Sequence, residues 1–168
     1  MRSPLLHIQA SFCATLPEQL SLLWQLSRGR LSAMVALSGL AGYLVASRTW
    51  GPQALQTGAA ILLLSAGCST LNQWQEREID ARMERTRLRP LPTGRLHPRQ
   101  ALVLALLMLT TGLLLLAPLP TWSPLLLGVF AILWYNGVYT GLKRITAYAV
   151  LPGALCGALP PLIGWCAA

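Results

Sequence analysis

Long apolar stretches separated by short polar ones fill most of this chain. No Asp, Glu, Lys or Arg occurs within 31–47, 49–75, 100–142 or 145–168. A helix needs roughly 20 mainly apolar residues to cross a bilayer. The 100–142 run holds two such helices, because Pro118, Pro120 and Pro124 around Thr121-Trp122-Ser123 form a turn that no helix continues through. The pattern predicts an all-α integral membrane protein, a multi-span bundle with spans over about 31–48, 55–74, 100–118, 123–141 and 147–166. Residues 1–30 precede it as a segment on one membrane face. Within them, Leu20, Leu22, Leu23, Trp24 and Leu26 suit a short interfacial stretch over 19–26. Pro4, Gln9, Pro17, Glu18 and Gln19 break up any continuous signal-peptide core.

Composition agrees with the pattern. Charged residues make up 11% of the chain, against about 25% in soluble domains. A net charge of +8 would suggest nucleic acid in a soluble protein, but here the basic residues sit in short loops between spans and follow the positive-inside rule. Placing the N-terminus in the cytoplasm puts Arg2, Arg28, Arg30, the seven arginines from Arg77 to Arg99, Lys143 and Arg144 inside, and only Arg48 outside. The loops 75–99 and 141–146 are then cytoplasmic, in a bacterial-type cell membrane.

The scarce acids are concentrated. Four of the five carboxylates lie between Glu76 and Glu84, at the end of the second predicted span. Asn72, Glu76 and Asp80 recur every fourth residue, so their oxygens share one helix face and can hold a hard divalent cation such as Mg²⁺, with water and phosphate completing the shell. Arginines follow at once in Arg85-Thr86-Arg87-Leu88-Arg89-Pro90-Leu91-Pro92. Acids and guanidinium forks side by side suit a metal-bridged diphosphate; a salt-bridged helix end is the other reading of the same run.

A second basic pair, Lys143-Arg144, closes the fourth predicted span on the same side and can reach the same phosphate, although such a pair is also an ordinary topology signal. On that span Tyr135, Asn136 and Tyr139 stand where lipid-facing positions favour aliphatics. An intramembrane Asn faces protein or a cavity, and two tyrosines one turn apart can line a chamber for an isoprenoid or a carbocation; belt anchoring explains Tyr139 equally well. Gly153 and Gly157 form a small-residue pair suited to helix contact. Cys13, Cys68, Cys156 and Cys166 lack metal-site spacing and read as small hydrophobes. His97 reads as a solvated loop residue, with metal or haem ligation as its alternative.

Four separated segments carry a resemblance to the UbiA-type membrane prenyltransferases and, within them, to the protohaem IX farnesyltransferases or haem O synthases. They are Asn72-x-x-x-Glu76-x-x-x-Asp80, Met83-Glu-Arg85-Thr86-x-x-Arg89-Pro90-Leu91-Pro92, Tyr139-Thr-x-x-Lys143-Arg144-x-Thr146, and Gly157-Ala-x-Pro160-Pro161-Leu-Ile-Gly164-Trp165. The resemblance runs from about residue 25 to the C-terminus. It implies a bundle of about nine spans, two acidic motifs under a cytoplasmic cap, and Mg²⁺ bridging those motifs to farnesyl diphosphate. Haem B, as substrate, would be converted with water to haem O and diphosphate. By the same resemblance Asn72, Glu76 and Asp80 belong to the catalytic metal–diphosphate site, and Arg85, Arg89, Lys143 and Arg144 to phosphate oxygens. Glu78 falls off the motif spacing and Glu84 lies beyond the motif; both remain supporting charges. Ser27-Arg28-Gly29-Arg30 departs from the family's Thr-Lys-Pro-Arg-like entry by lacking the proline.

No acid follows Glu84, so the second motif and later spans are expected to lie outside these residues, through truncation, a split gene or a shortened form. Residues 1–168 alone are expected to make little or no haem O, with a C-terminal half-protein as the missing partner. A non-catalytic half-fold membrane protein and a prenyltransferase for another acceptor, such as a quinone precursor, are the alternatives.

The charge asymmetry generates a topology prediction. Single cysteines replacing Arg87 and Lys143 should react with membrane-impermeant maleimide only from the cytoplasmic side; labelling from the outer face would reverse the orientation.

Overall fold

The computed structural model describes residues 16–168, so Met1, Arg2, His7, Cys13 and the other residues up to 15 lie outside the description. The chain forms α1 (Leu16–Leu26), α2 (Gly29–Ser47), α3 (Pro52–Arg82), α4 (Pro98–Leu116), α5 (Ser123–Leu142) and α6 (Val150–Ala167), with a 3-10 turn at Ala147–Ala149 before α6. Helices α2 to α6 are each long and apolar enough to cross a membrane. This is an integral membrane protein. Prolines open α3, α4 and α5, where a missing N–H costs nothing because the first-turn donors have no partner within the helix. His97 caps α4: its Nδ1 accepts from Arg99 N–H at 3.2 Å, and Gln100 Oε1 accepts from His97 N–H at 3.2 Å. That capping box accounts for His97 without a metal.

The observed helices match the five expected spans with two informative shifts. The helix of the second expected span continues past residue 74 to Arg82, so the acidic motif sits on a rigid helical extension and the irregular part of 75–99 is 83–97. The last span begins at Val150 instead of 147, because the preceding residues close a tight turn in which Thr146 Oγ1 accepts from Tyr148 N–H at 3.2 Å.

Helix α3 is the centre of the bundle. Its most apolar stretch is 56% buried, against 17–28% for the other four spans, and it touches α2, α4, α5 and α6. Against α4 it packs through Gly67 on Leu109 and Gly112 on Leu64. Ile61 and Leu64 of α3, Tyr43 of α2, Leu109 of α4 and Ile163 of α6 form the main core. Met34, Val45, Leu107, Leu114, Leu126 and Leu133 point outward as large exposed hydrophobics, as the lipid-facing positions of a span require.

Helices α2 and α6 approach each other backbone to backbone. A Cβ on Gly164 would fall onto the backbone of Gly39, and one on Gly42 onto the backbone of Pro161. The expected pairing through Gly153 and Gly157 is corrected here. Gly157 is exposed with open space around it, and Gly153 meets only the Tyr139 ring. Helix α6 turns its Gly164 end, not its Gly157 face, towards α2.

One end of the bundle gathers α1, the α3 extension, the 83–97 loop and the α5–α6 connection. Gln73 Nε2 donates to Leu26 O at 2.6 Å, Arg95 to Gln25 Oε1 at 3.4 Å, and Arg144 to Gln75 O at 3.2 Å. Arg28, Arg30, the Arg77–Arg99 set, Lys143 and Arg144 are therefore collected at that end. Arg48, at the far end of α2, is not.

The crossing predicts a pair of contrasting variants. Gly164→Ala should force α2 from α6 and lower stability by about 1–3 kcal/mol, the usual cost of overpacking, whereas Gly157→Ala should be close to neutral. Unfolding midpoints in detergent check both, and equal effects would refute the assigned contact.

Candidate active site

Asn72, Glu76 and Asp80 lie along the buried face of α3, with relative exposures of 0%, 9% and 4%. Two carboxylates held out of water near a membrane surface need positive partners, since an uncompensated buried charge is costly. Each has them. Lys143 Nζ donates to Glu76 Oε2 at 2.9 Å, and Arg144 Nε stands 3.7 Å from Glu76 Oε1. Arg89 meets Asp80 Oδ2 at 2.6 Å. The helical spacing of the motif thus presents both acids to one side, and two separate loops bring the cations to them.

Asn72 joins these groups. With its amide nitrogen donating to Glu76 Oε2 (3.2 Å), its oxygen accepts from Thr140 Oγ1 (2.9 Å) and Lys143 Nζ (3.1 Å). The reverse orientation would set oxygen against acceptors only, so the network fixes this one.

Local backbone geometry on α5 explains why Thr140 and Lys143 arrive there. Residues Trp134–Tyr139 form a π-helical segment, a one-residue widening common at functional sites that disturbs the regular ladder. Side chains take up the carbonyls it leaves. Asn136 Nδ2 donates to Ile132 O at 3.3 Å, and Gln75 Nε2 reaches from α3 to Asn136 O at 3.3 Å. The widened turn buries Asn136 and sets the rings of Tyr135 and Tyr139 5.5 Å apart, with Lys143 Nζ 5.4 Å from the centre of the Tyr139 ring.

Beside the charged groups lies an open pocket of about 670 Å³, walled by Arg28, Tyr135, Tyr139, Lys143 and Thr146. A narrower apolar cavity of about 190 Å³ lies deeper, among Val35, Ile61, Leu64, Cys68, Ile132 and Ile163. Leu31, Tyr135 and Cys156 line both. A molecule with an anionic head and an apolar tail therefore has adjoining places for its two parts.

The cap over the site is the 83–97 loop. Thr86 Oγ1 donates to Asp80 O at 3.0 Å, Pro90 and Leu91 are buried, and Leu91 packs with Leu26 and Ala101. Arg89 is thereby placed on Asp80. Of the sequence-derived residues, Asn72, Glu76, Asp80, Arg89, Lys143 and Arg144 come together, and Tyr135, Asn136 and Tyr139 lie next to them. Arg85 does not join: it is exposed and forms no ion pair among the described residues. Glu78 and Glu84 are exposed too, pairing with Arg77 and Arg87. Sequence reasoning missed Gln73, Gln75 and Thr140, and noted Arg28 only as part of the basic entry to the first span. For the first three the available signal was polarity inside charge-free runs, since intramembrane amides and hydroxyls must find partners.

The donor set fits part of a divalent-metal site. Asn72, Glu76 and Asp80 offer hard oxygens on one face, but no three His, Cys, Asp or Glu side chains converge among the described residues. The remaining ligands have to come from phosphate, water or acids of another segment.

Comparison with known proteins agrees with this geometry. The model of the UbiA prenyltransferase family matches residues 35–168, and the chain belongs to that family. It is 44% identical over 143 residues to a protein named Protoheme IX farnesyltransferase from Oleidesulfovibrio alaskensis, covering 85% of this chain and 51% of that one. The protein of the same name from Geobacter sulfurreducens is also 44% identical, with 83% and 52% covered. The chain spans about half the length of these relatives. Among solved structures, a digeranylgeranylglyceryl phosphate synthase superposes with a TM-score of 0.82 at 21% identity, over 90% of this chain and 54% of that one. A UbiA homologue from Archaeoglobus fulgidus, bound to DMAPP and Mg²⁺, gives 0.73 at 19% identity, over 85% and 53%. At these identities the likeness establishes the fold.

The Arg89–Asp80 contact makes its own prediction. Arg89→Ala should destabilise the protein by about 1–3 kcal/mol, less than for a deeply buried pair because Arg89 keeps some solvent contact. Adding Asp80→Asn should recover much of that loss. A double-mutant cycle by thermal unfolding measures the coupling, and additive effects would show that the contact does not hold the cap.

Proposed function

We propose that this member of the UbiA prenyltransferase family supplies the diphosphate-holding half of a haem O synthase-type enzyme, acting at the cytoplasmic face of the membrane. The overall reaction would join farnesyl diphosphate, haem B and water to give haem O and diphosphate. The observation that carries the proposal is the adjacency of buried Glu76 and Asp80, the cations Lys143, Arg144 and Arg89, and an apolar cavity reached past Tyr135. Relatives 44% identical over most of the chain and bearing the name Protoheme IX farnesyltransferase support the choice of acceptor.

In this reading Asn72, Glu76 and Asp80 hold Mg²⁺ from one side. Bound there, the metal would act as a Lewis acid that draws off the charge building on the leaving diphosphate. Lys143 and Arg144 outnumber the single carboxylate they share, so positive charge is left over for phosphate oxygens. Arg89 can turn from Asp80 to the same oxygens once a metal neutralises that acid, and exposed Arg85 is free to close over them. The prenyl tail would run into the apolar cavity. The faces of Tyr135 and Tyr139 would then stabilise the allylic cation until the haem vinyl carbon attacks it, with water completing the hydroxyethyl group.

The test uses membranes containing the chain with and without a co-expressed C-terminal unit bearing a second acidic motif. Supplied with farnesyl diphosphate, Mg²⁺ and haem B, the pair should make haem O and the 168 residues alone little or none. Glu76→Gln and Asp80→Asn should each cut turnover by about 100-fold or more, as loss of transition-state charge stabilisation does, while leaving the helical content intact. Near-normal turnover by Asp80→Asn at saturating Mg²⁺ would remove it from the metal site. A prenylated quinone precursor in place of haem O would overturn the acceptor.

A further inference from the structure

Arg28 walls the open pocket but has been given no role there, and its setting is unusual. With Ser27 it connects α1 to α2, and its backbone is left-handed (φ 49°, ψ 52°), a conformation costing a non-glycine residue roughly 1–2 kcal/mol. Strain of this kind persists only where the surroundings impose it. Here they do. Gln73, almost fully buried on α3, donates from Nε2 to both Leu26 O (2.6 Å) and Gln25 O (3.2 Å). Ser32 Oγ ties the other side of the turn to Ser27 O at 2.8 Å. The Trp24 ring lies so close over Gly29 that a Cβ there would clash. The turn is fixed from three directions.

Its product is a half-buried guanidinium that forms no ion pair among the described residues and lines the pocket containing Lys143 and Tyr139. Every other cation at that pocket or its carboxylates has an acid: Lys143 and Arg144 share Glu76, and Arg89 holds Asp80. A half-buried guanidinium that lines a pocket and has no counter-charge is available to an anionic ligand. We infer that Arg28 is an oxyanion-binding residue on the wall of the pocket formed by α2, α5 and α6, and that Gln73 is the positioning residue that aims it. The ligand is a phosphate or carboxylate oxygen of a substrate entering the pocket. This rests on the proposed prenyl-transfer reading, in which a prenyl diphosphate and a porphyrin dicarboxylate are the two sources of such an oxyanion.

Arg28 and Gln73 are distinct in kind, so their variants separate binding from support. The intact chain in detergent is titrated with Mg²⁺-pyrophosphate and, separately, with a metal-free porphyrin dicarboxylate, following tryptophan fluorescence. Arg28→Ala should weaken one of the two by at least tenfold, about the loss of one charge-assisted hydrogen bond, and Arg28→Lys should recover part of it. The affected ligand identifies the source. Gln73→Met, of similar volume, should give a comparable loss alone but no further loss in the Arg28→Ala background, because it acts only through Arg28. Independent, additive losses would make Gln73 a packing residue and overturn its role. Wild-type binding that Arg28→Ala leaves within twofold for both ligands would overturn the inference alone. Failure of the wild-type chain to bind either ligand would overturn this inference, whereas the prenyl-transfer reading is decided separately by haem O formation in the co-expression assay.

Discussion

Burial of Glu76 and Asp80 on α3 is the constraint around which the charged end of this protein is arranged. A carboxylate at a membrane surface either stays in water or brings its counter-charge along. Glu76 and Asp80 do the latter, and their partners come from distant parts of the chain: Lys143 and Arg144 from the end of α5, Arg89 from the loop after α3. Two acids on one helix thus tie down two otherwise independent segments, closing a cap over the end of the bundle. The same pairs keep three cations beside the two acids.

The π-helical segment of α5 links this polar end to the apolar interior. Widening the helix by one residue disturbs carbonyl pairing that lipid cannot make good. Asn136 and Gln75 supply compensating hydrogen bonds, and Gln75 in doing so fastens α5 to α3. The outcome is a pair of tyrosines at the boundary between a charged pocket and a cavity lined by aliphatic side chains. Backbone irregularity, polar satisfaction and cavity shape are one feature here.

On the other side, α2 and α6 approach backbone to backbone at Gly39, Gly42, Gly164 and Pro161. Bilayer lipid is as apolar as leucine, so helix association in a membrane relies on close packing more than on hydrophobic burial. That contact keeps α2 and α6 together at the far end. The strained turn at Arg28 directs the near end of α2 towards the pocket.

The sequence by itself determined the class and the motif. Charge-free runs longer than a bilayer crossing admit only spanning helices, because lipid offers backbone groups no partners, and Asn72, Glu76 and Asp80 at four-residue spacing had to share a helix face wherever that helix lay. Their assembly with Arg89, Lys143 and Arg144 was foreseeable as a shared end of the bundle, but which cation meets which acid was not. Only the tertiary structure decided that Arg89 takes Asp80 while Lys143 and Arg144 take Glu76, that Arg85 stays outside, and that Gly164 rather than Gly157 meets α2. Local periodicity sets which way a side chain leaves its own helix. The crossing of another helix, the widening of a turn or the carbonyl that Gln73 reaches depends on packing between residues far apart in sequence, and no local pattern encodes those distances.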